Sequence, residues 1–522
     1  MRPIRLIAGF FTVGAWTMAS RILGFVRDIL LALTLGTGPV AEAFLVAFSL
    51  PNMFRRFFAE GAFNMAFVPM FSKRVADPED ARAFAQDAFS GLAAVLVSFT
   101  LVAILAMPLL VLAMASGFSG DVRFDLAVGF GRVAFVYILF ISLAALLSGV
   151  LNALGHFAAA AAAPVLLNII LIVALLLAES GWCGAGTPDI EGYRTGQFLV
   201  WGVVLAGIAQ FTLLYLTTRR LGFGFTLTRP GFSPDMRHLV AVAVPAALAG
   251  GVVQINLLVG RQVASFFDGA VAWLAYADRL YQLPLGVVGI AVGVVLLPDL
   301  SRKLAASDIS GSQAALSRAG EFALALTIPA AVALVVIPGP IVSVLFERGA
   351  FGPEDTAATA LAVAIYGAGL PAFVLQKVLQ PLYFAREDTK TPFRYALWGM
   401  GVNALVAIGF APFIGFTAAA IGTTLAAWVM VALLWFGARD MGTASQFDSR
   451  FKSRLARQLL ASASMGLILW AAGTALSEAL QTPLWRYLAL AGLIGVGGLA
   501  WLLACQITGA LRLSDLKAAM KR

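Results

Sequence analysis

The stretch from residue 41 to residue 73, AEAFLVAFSLPNMFRRFFAEGAFNMAFVPMFSK, carries charges inside an apolar run long enough to cross a bilayer. Arg55, Arg56 and Glu60 lie near its middle, and Glu42 lies at its start. A charge at the centre of a membrane helix costs about 2.5 to 3.5 kcal/mol on insertion-derived scales. Ionisable residues at that depth therefore indicate a functional site.

Cations outnumber carboxylates inside the predicted membrane spans. A bundle built only for structure would balance its ion pairs, so the surplus indicates an anionic ligand. Arginine suits phosphate oxygens, because its planar fork binds them in bidentate fashion and stays ionised when desolvated. The intramembrane cations are Arg21, Arg27, Arg55, Arg56, Arg132, Arg261, Arg279 and Lys377, and the carboxylates are Asp28, Glu42, Glu60 and Asp278.

Helical spacing groups several of these charges. Arg21 and Asp28 share one face of the first span, and Arg27 lies on a neighbouring stripe. We expect Arg21, Arg27, Arg55, Arg279 and Lys377 to bind the ligand, supported by the charges Asp28, Glu42, Glu60 and Asp278. A buried structural network and snorkelling to an interface are alternative accounts of the arginines. Interfacial anchoring is the preferred account of Arg132 and Arg261.

The elements that position these charges are membrane helices. The chain has 522 residues, of which 61% are hydrophobic and 12% are charged, and its mean hydropathy is +0.91. Apolar runs of about 20 residues recur along its length, which predicts an all-α polytopic membrane protein and not a barrel. The basic and apolar start resembles a signal peptide but continues without a convincing cleavage site, so we interpret it as a retained helix.

We predict 14 spans. Their approximate bounds are 7–35, 41–71, 86–115, 127–152, 157–179, 195–217, 238–266, 270–298, 318–337, 357–384, 393–411, 415–437, 456–476 and 485–510.

Loop charges predict the orientation. Of the 36 lysines and arginines, 24 fall in one set of connections and tails, and the opposite set holds only four, which are Arg123, Arg194, Arg348 and Arg486. The positive-inside rule therefore predicts that both termini face the cytoplasm. The same bias explains the net charge of +9, so no nucleic-acid partner is expected.

An internal repeat organises the spans. Leu50-Pro51 in the second span matches Leu283-Pro284 in the eighth, and Arg27 has a counterpart in Arg261. Two six-helix units that start on the same side form a parallel repeat, with a pseudo-twofold axis along the membrane normal. The predicted domains are an N-terminal lobe (1–222), a C-terminal lobe (223–440) and two additional helices (441–522).

Several enzyme classes lack support in the sequence. It has no nucleotide-binding G-x-x-x-x-G-K-[ST] loop, no H-E-x-x-H motif and no Cys/His cluster, and its two cysteines, Cys183 and Cys505, are far apart. No cofactor and no metal site are predicted. Uphill work would draw on an ion gradient or on the membrane potential.

Four motifs resemble the MurJ (MviN) family of bacterial lipid II flippases. They are SRILGFVRD (20–28), LPNMFRRFFAEGAFNMAFVP (50–69), YADRLYQLPLGVVGIAVGVVLLP (276–298) and YFAREDTKTP (383–392). The resemblance implies the fold of the multidrug/oligosaccharidyl-lipid/polysaccharide exporter superfamily, with two lobes around a central cavity and a lipid-tail groove on the last two helices.

The resemblance also implies a substrate, the undecaprenyl-pyrophosphate-linked peptidoglycan precursor, which alternating access moves from the cytoplasmic to the periplasmic leaflet of the inner membrane. The implied partners are lipid II, membrane lipids and cell-wall synthesis enzymes. Carried over by motif, the important charges are Arg21, Arg27, Asp28, Arg55, Glu60 and Arg279, joined by Glu42 and Lys377. Position 42 is Glu where the family motif leads us to expect Asp.

Three alternatives stay open. A cation-coupled drug or polysaccharide-lipid exporter of the same superfamily is the nearest, although a drug exporter for cationic compounds should have an acidic cavity. A membrane-embedded scaffold would leave the intramembrane arginines unexplained. A prenyl-phosphate enzyme would need an Asp-rich metal motif, which the sequence lacks.

Overall fold

The fold is helical throughout the part of the chain that the structure describes. The computed structural model describes residues 3–56, 62–180, 190–229, 231, 233–291 and 296–510. Twenty α-helices and a few 3₁₀ turns account for the regular structure of these ranges. The predicted all-α class is thereby confirmed.

The chain forms two compact units. The first contains Met1–Ala272 and Arg348–Phe351, and the second contains Trp273–Glu347 and Gly352–Arg522. This division follows contacts, whereas the lobes predicted from the repeat divide the chain at residue 222, and those lobes stay a prediction.

The described residues of the first unit form ten helices and the start of an eleventh. They are α1 (Pro3–Leu35), α2 (Pro39–Arg55), α3 (Ala62–Arg74), α4 (Pro78–Leu105), α5 (Met107–Ala115), α6 (Val122–Ala134), α7 (Tyr137–Ala153), α8 (Phe157–Glu179), α9 (Tyr193–Arg220), α10 (Pro234–Ala264) and the first residues of α11 (Ala270–Ala291).

The second unit contains the rest of α11 and the remaining helices. They are α12 (Leu297–Ala305), α13 (Ile309–Val336), α14 (Pro338–Phe346), α15 (Pro353–Phe384), α16 (Lys390–Ile414), α17 (Thr417–Ala438), α18 (Ser449–Ala475), α19 (Ser477–Gln481) and α20 (Trp485–Thr508).

Ten segments of the described part are long and apolar enough to cross a membrane. They coincide with predicted spans three to six and nine to fourteen. The remaining four predicted spans correspond to α1, to α2 with α3, to α10, and to α11 with α12. In two of these four, 41–71 and 270–298, the residues 57–61 and 292–295 lie outside the described part.

Helix α9 packs closely against its neighbours in the first unit because small residues line it. A Cβ at Gly196 would lie 2.5 Å from a ring carbon of Phe130, and one at Gly207 would lie 2.8 Å from the ring of Tyr137. Small residues of this kind let membrane helices approach to backbone contact. They bring α6 and α7 against α9.

In the second unit, the segment before α18 is packed on α13. The rings of Phe447 and Phe451 stack with centroids 3.9 Å apart, and a Cβ at Gly320 would lie within 3 Å of both rings. The backbone amide of Asp448 donates to the hydroxyl of Ser317 at 3.0 Å. The last predicted spans are thus fixed to an earlier helix of the same unit.

Candidate functional site

Arg27 lies in the last third of α1, and two side chains accept hydrogen bonds from its guanidinium. Nε and Nη2 donate to Oδ1 of Asp28 at 3.1 and 2.7 Å, and Nη1 donates to Oδ1 of Asn168 at 3.0 Å. The side chains of Arg27 and Asp28 are only 11% and 8% exposed. Such charge-assisted hydrogen bonds fix the orientation of a cation that has lost most of its water.

Asn168 on α8 bridges this pair to the backbone of α1. Its Nδ2 donates to the carbonyl oxygen of Ser20 at 2.8 Å, so its Oδ1 is turned toward Arg27. Sequence reasoning missed this residue. The sequence does distinguish Asn168, because it is the sole polar residue between positions 157 and 178 and a lone polar side chain in an apolar helix needs a partner.

Arg21 lies on α1 six residues before Arg27, and its side chain is exposed. Within the described part of the chain it has no hydrogen-bond or ion-pair partner. Its guanidinium is therefore available to a ligand. A second cation on the same helix adds positive charge near the neutral pair of Arg27 and Asp28.

Arg55 is the last residue of α2 and is half-buried, and Arg56 beside it is exposed. The end of α2 is positioned by Phe54, whose ring packs against Phe99 and Phe135 with centroids 5.1 and 5.8 Å away. Glu60, a predicted supporting charge, lies outside the described residues.

Glu42 is in the first turn of α2 and is 1% exposed. Its Oε2 accepts from Nη1 of Arg123 at 3.0 Å, and its Oε1 accepts from the backbone amide of Val271 at 3.0 Å. The structure thus places Glu42 with Arg123 and not with the arginines that it was expected to support.

Arg123 is a second residue that sequence reasoning missed. It was counted among loop cations, but it lies in the first turn of α6 and is 6% exposed. Besides Glu42 it contacts Oδ2 of Asp121 at 2.5 Å and Oδ1 of Asp268 at 2.8 Å. Asp121 is the N-cap of α6. An Asp followed two residues later by an Arg at a helix start could therefore have indicated this pair in the sequence.

The second unit contributes Asp278 and Arg279 from α11. Asp278 accepts a hydrogen bond from the side-chain amide of Gln282, one turn further along the helix. The side chain of Arg279 is exposed, whereas that of Asp278 is half-buried. The adjacent opposite charges therefore differ in accessibility, and the cation is the more accessible of the two.

Lys377 lies on α15 of the same unit and is exposed, without a hydrogen-bond or ion-pair partner among the described residues. Its neighbour Gln376 donates to the carbonyl of Ala427 at 3.0 Å, which fixes this part of α15 against α17. The rings of Tyr281 on α11 and Phe373 on α15 stack at 5.2 Å. That contact brings the helices of Arg279 and Lys377 together.

The exposed cations Arg21 in the first unit and Arg279 and Lys377 in the second suit the binding of an anion.

In the described part of the chain no group of three or more His, Cys, Asp or Glu side chains is placed to hold a metal ion. Cys505 is buried and not in a disulfide, and Cys183 lies outside the described residues.

The fold is similar to that of solved membrane transporters. The chain aligns with an inward-facing multidrug resistance MATE family transporter of the MOP superfamily at a TM-score of 0.64 and 14% identity, covering 83% of this chain and 97% of the other. A structure of "Lipid II flippase MurJ, inward closed conformation" aligns at a TM-score of 0.77 and 25% identity, covering 95% and 98%. The fold is therefore the one that these two polytopic transporters share.

Sequence comparison specifies the family. The family model "Lipid II flippase MurJ" matches residues 31–490. Similar curated proteins include the "Probable lipid II flippase MurJ" of Rhizobium meliloti, 42% identical over 99% of this chain and 96% of its own, and that of Rhizobium tropici, 44% identical over 88% and 86%. The chain belongs to the MurJ family of lipid II flippases.

Proposed function

We propose that this protein flips lipid II, the undecaprenyl-pyrophosphate-linked peptidoglycan precursor, from the cytoplasmic to the periplasmic leaflet. Similarity to curated MurJ proteins along 99% of the chain carries the proposal. A multi-pass chain of this family fits such a substrate, because a prenyl tail can stay in lipid while its polar headgroup crosses through protein.

The pyrophosphate binds the arginines in this proposal. Arg27 is desolvated and oriented by Asp28 and Asn168, and Arg21 on the same helix is accessible. Arg55, Arg279 and Lys377 complete the set. Bidentate hydrogen bonds from arginine to phosphate oxygens are stronger than neutral ones and fix the geometry of the bound group.

The mechanism that we propose is alternating access, in which the two six-helix lobes expose the site first to one side of the membrane and then to the other. Loop charges support an inner-membrane orientation with both termini in the cytoplasm. The helices after residue 441 hold the lipid tail. Coupling to an ion gradient or to the membrane potential supplies the energy.

The test uses cells depleted of their own lipid II flippase and supplied with this chain. A membrane-impermeant probe measures how much lipid II becomes accessible on the periplasmic face. We expect accessibility to be restored by the unmodified chain and to be lost with Arg27→Ala at equal protein level, because the variant lacks the oriented guanidinium.

Arg220→Ala is the matched control, since Arg220 is an exposed arginine at the end of α9. It should restore accessibility as the unmodified chain does. Accessibility that is fully restored by Arg27→Ala would refute the site, and no restoration by a correctly inserted unmodified chain would refute lipid II as the substrate.

A further inference from the structure

One exposed face of α6, in the first unit, carries two side chains of opposite charge. Asp125, Gly129 and Arg132 follow at spacings of four and three residues, so they share a face of the helix, and all three are exposed. The intervening Leu126, Phe130 and their neighbours are buried. The face belongs to the membrane-spanning segment Val122–Ala153.

A cavity of about 310 Å³ opens beside this face, between α6 and α9. Asp125, Gly129 and Phe130 line it from α6, and Tyr193 and Gln197 line it from α9. The amide of Gln197 donates to the hydroxyl of Tyr193 at 2.8 Å, so its remaining donor and acceptor capacity is free to meet a ligand. The volume is at the lower end of the range for small-molecule sites, about 300 to 1,000 Å³.

Neither charge is neutralised by a residue that the structure describes. Asp125 and Arg132 have no hydrogen-bond or ion-pair partner within the described ranges. An unpaired charge inside a membrane span is costly, which gives a ligand that pairs with Arg132 a strong advantage. Two such charges on one face, of opposite sign, favour a ligand that is itself zwitterionic.

The order of the charges specifies the ligand further. Asp125 precedes the predicted span 127–152, and Arg132 lies inside it, about 10 Å deeper along the helix axis at 1.5 Å per residue. Helical side chains incline toward the N-terminus, so Arg132 reaches back toward Asp125. The site therefore presents a cation on the hydrocarbon side and an anion on the water side.

We propose that this groove, lined by α6 and α9, together with Arg132, which lies one turn beyond Gly129 on α6, binds the headgroup of a membrane phospholipid that carries a phosphodiester and a primary ammonium. In such a lipid the phosphate lies nearer to the hydrocarbon and the ammonium lies nearer to water, which matches Arg132 and Asp125. A primary ammonium donates hydrogen bonds to Asp125 and to the oxygen of Gln197, whereas a quaternary ammonium has no N–H to donate. In the orientation proposed above, the lipid belongs to the periplasmic leaflet.

The test titrates delipidated full-length protein in detergent with short-chain phosphatidylethanolamine, phosphatidylcholine and phosphatidylglycerol, and counts bound lipid by native mass spectrometry. We expect phosphatidylethanolamine to bind about tenfold more tightly than either of the others, because it alone satisfies both charges with hydrogen bonds. Asp125→Asn should remove that preference, and Arg132→Gln should weaken all three lipids.

A third variant and a control make the test decisive. Gly129→Leu fills the groove without changing charge, and a Cβ at Gly129 meets no atom within 4 Å, so the protein should fold and lose lipid. Glu179→Gln removes an exposed carboxylate at the end of α8, outside the groove, and should bind as the unmodified protein does.

Equal binding of the three lipids by the unmodified protein would overturn the headgroup assignment. Variants of Asp125 and Arg132 that bind like Glu179→Gln would overturn the site. If Arg132→Gln does not fold, Gly129→Leu tests the site in its place. Lipid binding by Gly129→Leu equal to that of the unmodified protein would then overturn the site. If phosphatidylglycerol binds most tightly, the proposed zwitterionic ligand is overturned and the site binds an anionic lipid.

Discussion

Arg27 and Arg123 are both desolvated arginines of the first unit, but their partners differ. Arg27 contacts one carboxylate and one neutral amide. Arg123 contacts the three carboxylates of Glu42, Asp121 and Asp268. The two clusters therefore have similar burial and different net charge.

The difference is the one that we expect between the proposed ligand site and a structural cluster. The pair of Arg27 and Asp28 is neutral, and the accessible Arg21 on the same helix makes the region positive. The cluster around Arg123 is negative, so a further anion would be repelled there. Burial of an arginine in a membrane span thus does not by itself indicate substrate binding, and the number of its carboxylate partners is the more informative property.

The largest effect is expected from Arg123→Ala. This variant leaves Glu42 buried without its cation, and breaking a buried ion pair in this way costs about 3 to 5 kcal/mol. We expect a strongly lowered melting temperature of the purified protein in detergent.

The double variant Glu42→Gln with Arg123→Met is the control for that prediction. It removes both buried charges and should regain much of the lost stability, because the desolvated carboxylate is gone. Equal melting of the single and double variants would show that the unpaired Glu42 is not the source of the loss.

An intermediate effect is expected from Asn168→Ala. The variant deletes the hydrogen bond to Arg27 and the two to Ser20, and leaving such partners unsatisfied costs about 1 to 3 kcal/mol. Periplasmic accessibility of lipid II should fall as well, since Arg27 loses its orientation. Asn152→Ala, which changes an exposed asparagine of α7, should leave both melting and accessibility unchanged, and an identical outcome for the two variants would contradict the positioning role of Asn168.

The smallest effect is expected from Asp268→Asn. Its side chain is 92% exposed although it contacts Arg123 at 2.8 Å. Exposed ion pairs contribute little, so the melting temperature should change by no more than about 1 °C. A larger fall in melting temperature would mean that Asp268 contributes to the neutralisation of Arg123 together with the other two carboxylates.

The sequence was sufficient for the helical class, because apolar runs of spanning length leave only helices as an option. Helical spacing groups Asp28 with Arg21 on one face of the first span, whereas in the structure the carboxylate of Asp28 pairs with Arg27, the residue before it. The roles predicted for Arg21, Arg27, Arg55, Arg279 and Lys377 stay predictions.

The residues that sequence reasoning missed are partners distant in the chain. Asn168 is 141 positions from Arg27, and Arg123 is 81 positions from Glu42. No helical periodicity within one segment specifies such pairs, since they depend on which faces of two helices meet. The count of charges in each predicted span gave no sign that Glu42 belongs to a different cluster from Arg27.

The packing of Phe447 and Asp448 on α13 has a consequence for synthesis. Ser317 and Asp448 are 131 residues apart, so their hydrogen bond forms only after that length of chain has been added. At about 5 to 20 residues per second, the ribosome needs several seconds to half a minute for this length. During that interval the Gly320 side of α13 is uncovered in the nascent chain, and lipid or the insertion machinery has to shield it until the last helices arrive.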